Sequence, residues 1–224
     1  MPIFYDIHTH DTAACNQKAI YNYMISNESV LRVPEGFFSA GVHPWDAATA
    51  SPHWQYELSS LCKLPTMVAV GETGLDRLHA GTMDLQRSVF ESHLKLASSH
   101  NLPLIIHCVR AHDEITQLLR THNVQITIIF HGFENGWRQA VKLLDAGIYL
   151  SFGKALLNNM HPAAEAFKKT PPERVFLETD EYKGGIASVY EAAANLWQLP
   201  LEAVAERINL NVKHTFKIND RNVE

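Results

Sequence analysis

The sequence has few cysteines, no leader-like start and no long apolar run, and each absence excludes a class of protein. Its three cysteines, Cys15, Cys62 and Cys108, are odd in number and widely spaced, which argues against a disulfide framework and suits a reducing compartment. The N-terminal residues show no basic region followed by a long apolar stretch, so no signal peptide is expected. Because no apolar run approaches the length of a membrane span, we expect a soluble, cytoplasmic protein.

The sequence also lacks a surplus of basic residues. Lysine and arginine total 19 against 24 acidic residues, which gives a net charge of −5 and an isoelectric point of about 6.2. Proteins that hold nucleic acid through nonspecific charge are usually basic. A nucleic-acid substrate for this chain would therefore require a local basic patch or metal ions that meet the phosphates.

No flexible linker, charge run or tandem repeat divides the 224 residues, of which 46% are hydrophobic. A chain of this size and composition can bury one large core, so we predict a single domain over residues 1–224. Short apolar runs recur along it and predict eight buried strands, at residues 3–8, 19–26, 37–43, 67–72, 104–109, 126–133, 147–153 and 175–180.

Helical patterns lie between the later strands, and this alternation indicates a parallel sheet. Eight strands with intervening helices predict an α/β fold, the TIM-type (β/α)₈ barrel. Residues 11–18 and 27–36 are too short for full crossovers, which need about 10–12 residues, so we expect the first two outer helices to be missing or shortened. An open doubly wound sheet is the alternative.

Two helix ends carry local signals. Ser51 followed by Pro52 predicts an N-cap and a first helical residue. Gly147 closes the pattern that begins at residue 134 and predicts a C-terminal cap.

Histidines and carboxylates stand at the C-terminal ends of the predicted strands: His8, His10, His43, Glu72, Asp76, His107, His131, Glu178 and Asp180. In a parallel barrel these ends form one rim, where catalytic sites are built. Each residue alone has an ordinary explanation, such as a cap at Asp76, a lysine partner for Glu178, or a turn at Gly71 and Gly74. Together they would bury much uncompensated polarity, which favours a shared metal site.

A shell of imidazoles and carboxylates suits Zn²⁺, Mn²⁺, Fe²⁺, Co²⁺ or Ni²⁺ better than Ca²⁺ or Mg²⁺ alone. Four histidines and two carboxylates exceed what one tetrahedral ion with an open position needs. Two ions about 3.5–4 Å apart, bridged by a carboxylate, would use these ligands fully. Such a pair ionises a bound water and clamps the oxygens of a phosphate ester.

The segments DIHTH, GVHPW, GETGLD, PLIIHCVR, HGF, SFG and ETD, in this order, resemble the TatD family of metal-dependent deoxyribonucleases, within the amidohydrolase superfamily of barrels. The likeness extends from Asp6 to Asp180, and Asn211 and Phe216 resemble the family's closing helix. The GETGLD segment together with the first-strand motif is the specific part of the resemblance, whereas HGF alone adds little.

The resemblance implies six metal ligands: His8, His10, Glu72, His107, His131 and Asp180. His8 and His10 would bind one ion together with Asp180, and Glu72 would bridge to a second ion whose shell the remaining two histidines complete. Glu72 and Asp180 would also be the catalytic residues, since Asp180 would accept a proton from the attacking water.

For the substrate, the resemblance implies contacts from His43 and Arg110, to a phosphate oxygen and to substrate charge respectively. The implied activity is hydrolysis of phosphodiester bonds in DNA, often from an end, with two divalent ions chosen among Zn, Mn, Mg, Ni and Co. DNA or a phosphorylated small molecule would be the substrate, and a monomer is expected.

Three departures from the family pattern leave other functions open. The chain is short between DIHTH and GVHP, Glu134 adds negative charge after His131, and Glu181 and Lys183 follow ETD. The acidic balance favours a second hypothesis, an amidohydrolase-type enzyme that cleaves a small C–N or ester substrate. That enzyme type often uses a carboxylated lysine after the fourth strand, where Glu72 stands here.

A metal-binding protein with little turnover is a third hypothesis. In that case an exposed tryptophan among Trp45, Trp54 and Trp137 would serve a partner surface. Tryptophan is more often half-buried packing, which weighs against this interpretation.

Overall fold

The computed structural model describes residues 2–11, 18–26 and 33–218. Its eight strands are β1 (Asp6–Thr9), β2 (Ala19–Met24), β3 (Phe37–Gly41), β4 (Met67–Asp76), β5 (Leu104–Val109), β6 (Ile128–Phe130), β7 (Tyr149–Phe152) and β8 (Val175–Leu177). All eight predicted strands are confirmed, with shifted ends. No helix among the described residues is long and apolar enough to cross a membrane.

The helices follow the later strands as the sequence predicted. They are α1 (Trp54–Leu61), α2 (Met83–His100), α3 (His112–Thr121), α4 (Trp137–Asp145), α5 (Pro162–Lys169), α6 (Ile186–Trp197) and α7 (Leu201–Phe216). The described residues between β1 and β3 contain no helix. The prediction of absent outer helices rests mostly on residues 12–17 and 27–32, which lie outside the described part of the chain.

The strands stand in one sheet in sequence order, β1 to β8, and the described strand pairs are parallel. A further parallel bridge joins Thr9 at the end of β1 to Asp180, which follows β8. This order and the β1–β8 contact confirm the predicted (β/α)₈ barrel and exclude the open doubly wound sheet, whose first and last strands are not neighbours.

The chain divides into two compact units. The terminal unit comprises residues 1–21 and 129–224, and the central unit comprises residues 22–128. In the terminal unit, the fully buried Tyr190 donates a hydrogen bond to the carbonyl oxygen of Tyr5 (2.9 Å), and the Tyr5 N–H donates back to the Tyr190 hydroxyl (3.1 Å). This pair attaches α6 to the chain just before β1.

In the central unit, β3, β4 and β5 form the sheet and α1 to α3 pack on it. Register pairs Phe38 with Met67 and Val70 with Leu104. Every residue of β4 is buried, and Phe90 of α2 is fully buried as well. A strand buried on both faces is typical of a parallel sheet covered by helices.

The helix-end predictions had opposite outcomes. The N-cap prediction was wrong: α1 begins at Trp54 with His53 before it, because the Ser51 hydroxyl accepts from the His53 N–H (3.2 Å) and closes a turn that precedes the helix. Gly147 is confirmed as the left-handed glycine that terminates the α4 pattern: it follows the cap residue Ala146, has a φ of 80° and donates its N–H to the carbonyl of Leu144 (2.9 Å).

The glycines of GETG do not form a turn, contrary to the ordinary explanation given to them. Gly71 and Gly74 lie inside β4, with φ of 127° and 152°. A Cβ at Gly71 would stand 2.3 Å from the carbonyl oxygen of Ile105, and one at Gly74 would stand 1.9 Å from that of His107. Only glycine lets β4 approach β5 this closely, so the motif sets the spacing of the two strands.

A buried histidine on α2 anchors the end of β3. His93 Nε2 accepts the N–H of Val42 (3.0 Å), its Nδ1 lies 2.8 Å from the carbonyl oxygen of Val89, and Trp54 stacks on the ring at 4.6 Å. The accepting Nε2 requires a neutral imidazole. Burial lowers the pKa of His93 to about 4, although the hydrogen bond to Val89 opposes the shift.

This shift predicts a loss of stability in mild acid. The folded pKa lies below the ordinary value of 6.5, so the unfolded chain binds the proton first. We expect the His93 contribution to the free energy of unfolding to be complete above pH 6.5 and to fall by about 3 kcal/mol as the pH drops to 4. Urea unfolding across this range should show a shallower pH slope in His93→Gln, whose amide can still accept from Val42. The same slope in His93→Gln and in the exposed control His214→Gln would contradict the assignment.

Candidate metal centres

The central unit brings a carboxylate and two histidines into direct contact at the ends of its strands. Glu72 Oε1 lies 2.8 Å from His107 Nδ1 and 3.2 Å from His43 Nε2, and the two ring nitrogens are 3.3 Å apart. The three side chains are buried or nearly so. Three donor atoms that meet at one point are suited to a shared cation.

Asn22 of β2 fixes the orientation of Glu72. Its amide nitrogen donates to Glu72 Oε2 (3.0 Å), and its carbonyl oxygen accepts the backbone N–H of the same residue (3.0 Å). With Oε2 held in this way, Oε1 is the oxygen that faces the histidines. An asparagine inside a buried strand is the sequence signal for this role.

Asp76 contacts His107 at Nε2, the ring nitrogen opposite the one that faces Glu72. Its Oδ2 lies 3.3 Å from His107 Nε2 and accepts from the indole N–H of Trp45 (2.7 Å), while its Oδ1 accepts from the backbone N–H of Leu78 (2.8 Å). A proton on Nε2 leaves the Nδ1 lone pair of His107 directed at the Glu72 carboxylate, as a histidine ligand with a carboxylate partner requires. The expected cap at Asp76 is thus present, but the residue also orients a candidate ligand.

The ionised form of Asp76 is favoured by its surroundings. Burial acts to raise the pKa of this carboxyl, but the hydrogen bonds from Trp45 and Leu78 and the neighbouring His107 hold the pKa below its ordinary value. A charged Asp76 accepts a hydrogen bond from His107 well and so orients it as a ligand.

We expect Asp76→Asn to weaken metal binding by about 10- to 100-fold, because an amide oxygen accepts the hydrogen bond from His107 Nε2 less strongly than a carboxylate does. Competition between stripped protein and a chelating dye for Zn²⁺ measures the change. Asp84→Asn is the matched control, since its side chain is 99% exposed and pairs with Arg87. Equal Zn²⁺ affinity in wild type and Asp76→Asn would contradict the role given to Asp76.

His43 has a hydrogen bond that favours proton donation over metal binding. Its Nδ1 accepts the N–H of Trp45 (3.2 Å). A neutral His43 therefore carries its proton on Nε2, the atom that faces Glu72. This tautomer suits the substrate-contact role that the resemblance implies for His43, although the residue lies within the group that could hold a metal ion.

The terminal unit contains a second group, formed by His8, His131 and Asp180. One ligand atom from each lies within 4.8 Å of the others. Asp180 Oδ1 is 3.9 Å from His8 Nε2 and 3.4 Å from His10 Nε2. His8 is fully buried, whereas the Asp180 side chain is 35% exposed. The four predicted ligands of this unit are therefore neighbours.

Glu178 supports His131 as Asp76 supports His107. Its Oε1 lies 3.5 Å from His131 Nδ1 and accepts the N–H of Gly132, and its Oε2 accepts the hydroxyl of Ser151. A lysine partner was the ordinary explanation for Glu178. The residue is instead fully buried against a candidate ligand, because Glu178 and Ser151 lie on neighbouring strand ends.

Asp6 belongs to a hydrogen-bonded cluster and not to the metal groups. Its Oδ1 accepts the N–H of His8 (3.2 Å) and of Thr179 (3.1 Å), and its Oδ2 accepts the Thr179 hydroxyl (2.6 Å). Burial raises the pKa of Asp6 to about 7 against these hydrogen bonds, which favour the ionised form. The cluster joins β1 to the end of β8 and so positions His8.

Two predicted site residues stand in the left-handed backbone region. Asp180 has a φ of 54° and Arg110 a φ of 55°. The backbone N–H of Asp180 donates to the carbonyl of His8 (2.8 Å), as part of the parallel bridge to the end of β1. Arg110 directly follows β5 and is exposed, outside both groups. Both residues therefore mark the points where the chain turns after a strand.

The donor atoms of both groups fit a divalent transition ion. The terminal group offers imidazoles and a carboxylate, and the central group offers Glu72 and His107, each held by a hydrogen-bonded neighbour. Nitrogen and oxygen donors of this kind suit Zn²⁺, Mn²⁺, Co²⁺ or Ni²⁺. The supporting Glu178 and Asp76 supply the outer contacts that metal-binding histidines normally have.

Comparison with known proteins places these groups in context. The family model described as TatD related DNase matches residues 16–217. The metal-dependent hydrolase YabD of Bacillus subtilis is 30% identical over 202 residues, which cover 82% of this chain and 78% of that protein. The 3'-5' ssDNA/RNA exonuclease TatD of Klebsiella pneumoniae is 31% identical over 146 residues. That match covers 63% of this chain and spans little more than half of the exonuclease, 56%.

Solved structures show the same fold. The TatD homologue YjjV of Escherichia coli K12 superposes with a TM-score of 0.81 at 20% identity, over 97% of this chain and 98% of that one. A TatD family hydrolase of Entamoeba histolytica superposes with a TM-score of 0.78 at 16% identity, over 96% and 98%. At these identities the likeness supports the barrel fold alone.

Proposed function

The chain belongs to the TatD related DNase family of metal-dependent hydrolases, and from this premise we propose that it removes nucleotides from an end of single-stranded nucleic acid. The observation that carries the proposal is the pair of histidine–carboxylate groups at the strand ends. In each group a further carboxylate contacts a histidine: Asp76 contacts His107, and Glu178 contacts His131. The name of the Klebsiella pneumoniae relative, a 3'-5' ssDNA/RNA exonuclease, supports the substrate class and direction.

We propose that each group holds one divalent ion of the Zn, Mn, Mg, Ni or Co series. Such an ion lowers the pKa of a bound water and neutralises charge on a phosphodiester oxygen. His8, His10 and Asp180, which the resemblance assigns to one ion, would hold the ion of the terminal unit together with His131, which the resemblance assigns to the other ion. Glu72 and His107 would hold the ion of the central unit. That Glu72 bridges two ions stays a prediction from the resemblance.

The chain's own residues supply the proton transfer and the phosphate contacts. Asp180 is the partly exposed carboxylate of its group, so it is the residue placed to accept the proton of the attacking water. His43 can donate a hydrogen bond from its Nε2–H to a phosphate oxygen. Arg110 is exposed after β5 and offers a guanidinium to substrate charge. We further propose that the protein acts as a single-domain monomer in the cytoplasm.

The test is a cleavage assay with end-labelled single-stranded DNA and protein loaded with Mn²⁺ or Zn²⁺. We expect metal-dependent shortening from the 3' end, abolished by chelator and by His107→Ala but not by the exposed control His214→Ala. No metal-dependent cleavage, or equal cleavage by His107→Ala, would reject the proposal. Turnover of a small amide or ester in its place would identify the amidohydrolase-type alternative.

A further inference from the structure

An exposed aromatic surface adjoins the central group, and the proposed function does not use it. Trp45 is 57% exposed, although its indole N–H is hydrogen-bonded to Asp76 (2.7 Å). Exposed Leu78 and His79 follow Asp76, and the His79 ring lies 4.9 Å from the Trp45 ring at 38°. We call Trp45, Leu78 and His79 the aromatic shelf.

Asp76 holds the shelf in place and also contacts the candidate metal ligand His107. Asp76 accepts from Trp45, lies 3.3 Å from His107 Nε2, and is 3.5 Å from His79 Nδ1. The Trp45 ring also meets the His43 ring edge-on, with centroids 4.8 Å apart. A ligand on the shelf would therefore stand beside the residues proposed to bind the phosphate.

The other tryptophan of the central unit shows that this exposure is unusual. Trp54 is buried and stacks on His93 at 4.6 Å, so it serves packing. An indole fixed by its polar edge, with its face left to solvent, offers a flat surface at little entropic cost. Such surfaces hold single-stranded nucleic acids through base stacking.

The charge of the chain adds a reason for stacking. A net charge of −5 gives no general surplus with which to hold a phosphate backbone. A nucleic-acid strand that is bound mainly at the scissile phosphate needs a second, uncharged contact to fix its position along the site. Stacking supplies that contact without regard to base identity.

We propose that the aromatic shelf stacks with the nucleobase next to the phosphodiester bond that is cleaved. The inference rests on the proposed function, because it assigns the substrate's base to a subsite beside the catalytic groups. Trp45 supplies the stacking face, and stacking needs its ring and not its N–H, which is directed at Asp76.

Binding measured in chelator tests the shelf apart from catalysis. Fluorescence anisotropy compares a short labelled thymidine strand with an abasic strand of equal length, which carries the same phosphates. For wild type we expect the thymidine strand to bind roughly tenfold more tightly. Trp45→Leu should lose this preference. Trp45→Phe should keep most of it, because phenylalanine retains an aromatic ring, although it lacks the N–H that bonds to Asp76. Tyr56→Leu, which removes another exposed aromatic, should behave as wild type.

Each outcome decides one question. An unchanged preference in Trp45→Leu, equal affinity of wild type for the two strands, or no binding of either strand would overturn the shelf. Loss of the preference in both Trp45→Leu and Trp45→Phe would also overturn it, since the effect would then arise from the Asp76 hydrogen bond. If the preference follows the ring but loaded protein cleaves neither strand, base stacking on the shelf stands, whereas its position beside a cleaved bond and the proposed nuclease activity fail.

Discussion

Replacing Glu72 with glutamine is expected to reduce metal-dependent hydrolysis by about a thousandfold or more, which corresponds to about 4 kcal/mol in the barrier. The substitution removes the only carboxylate that directly contacts both His43 and His107 in the described central unit. An amide oxygen is a weaker ligand for a divalent ion and supplies no charge to balance it. Steady-state kcat/KM on a single-stranded substrate measures the loss.

The fold should tolerate this change. The Asn22 amide can still donate to the glutamine oxygen, and its contact to the backbone N–H of residue 72 is unaffected. Circular dichroism should therefore be unchanged. Glu165→Gln is the control, since Glu165 forms an exposed pair with Lys169 at 2.7 Å and such pairs contribute little. A Glu72→Gln enzyme as active as Glu165→Gln would remove Glu72 from the catalytic account.

The second large effect is expected from a single methyl group on β4. Gly74→Ala would place a Cβ 1.9 Å from the carbonyl oxygen of His107, at a φ of 152° that alanine does not readily adopt. The strands must separate to relieve the overlap, which costs at least about 2 kcal/mol of unfolding free energy. Because Glu72 and His107 lie on the two strands concerned, activity should be lost together with stability.

Gly81→Ala provides the matched control for this substitution. A Cβ at Gly81 meets no atom within 4 Å and the backbone there is not left-handed, so its stability should change by less than about 1 kcal/mol. Urea unfolding of both variants gives the comparison. If Gly74→Ala unfolds at the same urea concentration as Gly81→Ala, the close approach of β4 to β5 is not as described.

The fold was predictable because its signals are local. Eight apolar runs with helical patterns between the later ones were sufficient for the barrel, and the strand ends carried the histidines and carboxylates of both groups. Parallel strands bring their ends to one edge, so sequence-distant polar residues could be expected to meet. The family match confirms the resemblance that those motifs indicated.

The supporting contacts could not be predicted because they depend on neighbours that are distant in sequence. Nothing near Asn22 shows that it will hold Glu72, and nothing near Glu178 shows that it will face His131. The tautomer of His43 likewise follows from one backbone N–H. Strand register and side-chain direction decide these contacts. A register shift of one residue would turn each side chain to the opposite face of the sheet.

The most direct test of the two candidate metal centres is anomalous diffraction from crystals soaked in Mn²⁺ or Zn²⁺. We predict an anomalous peak bounded by His8, His131 and Asp180 and another in contact with Glu72 and His107. Asp76→Asn should weaken the second peak and leave the first. Absence of a peak at both groups, in crystals that bind the ion elsewhere, would contradict the central claim that these residues bind metal.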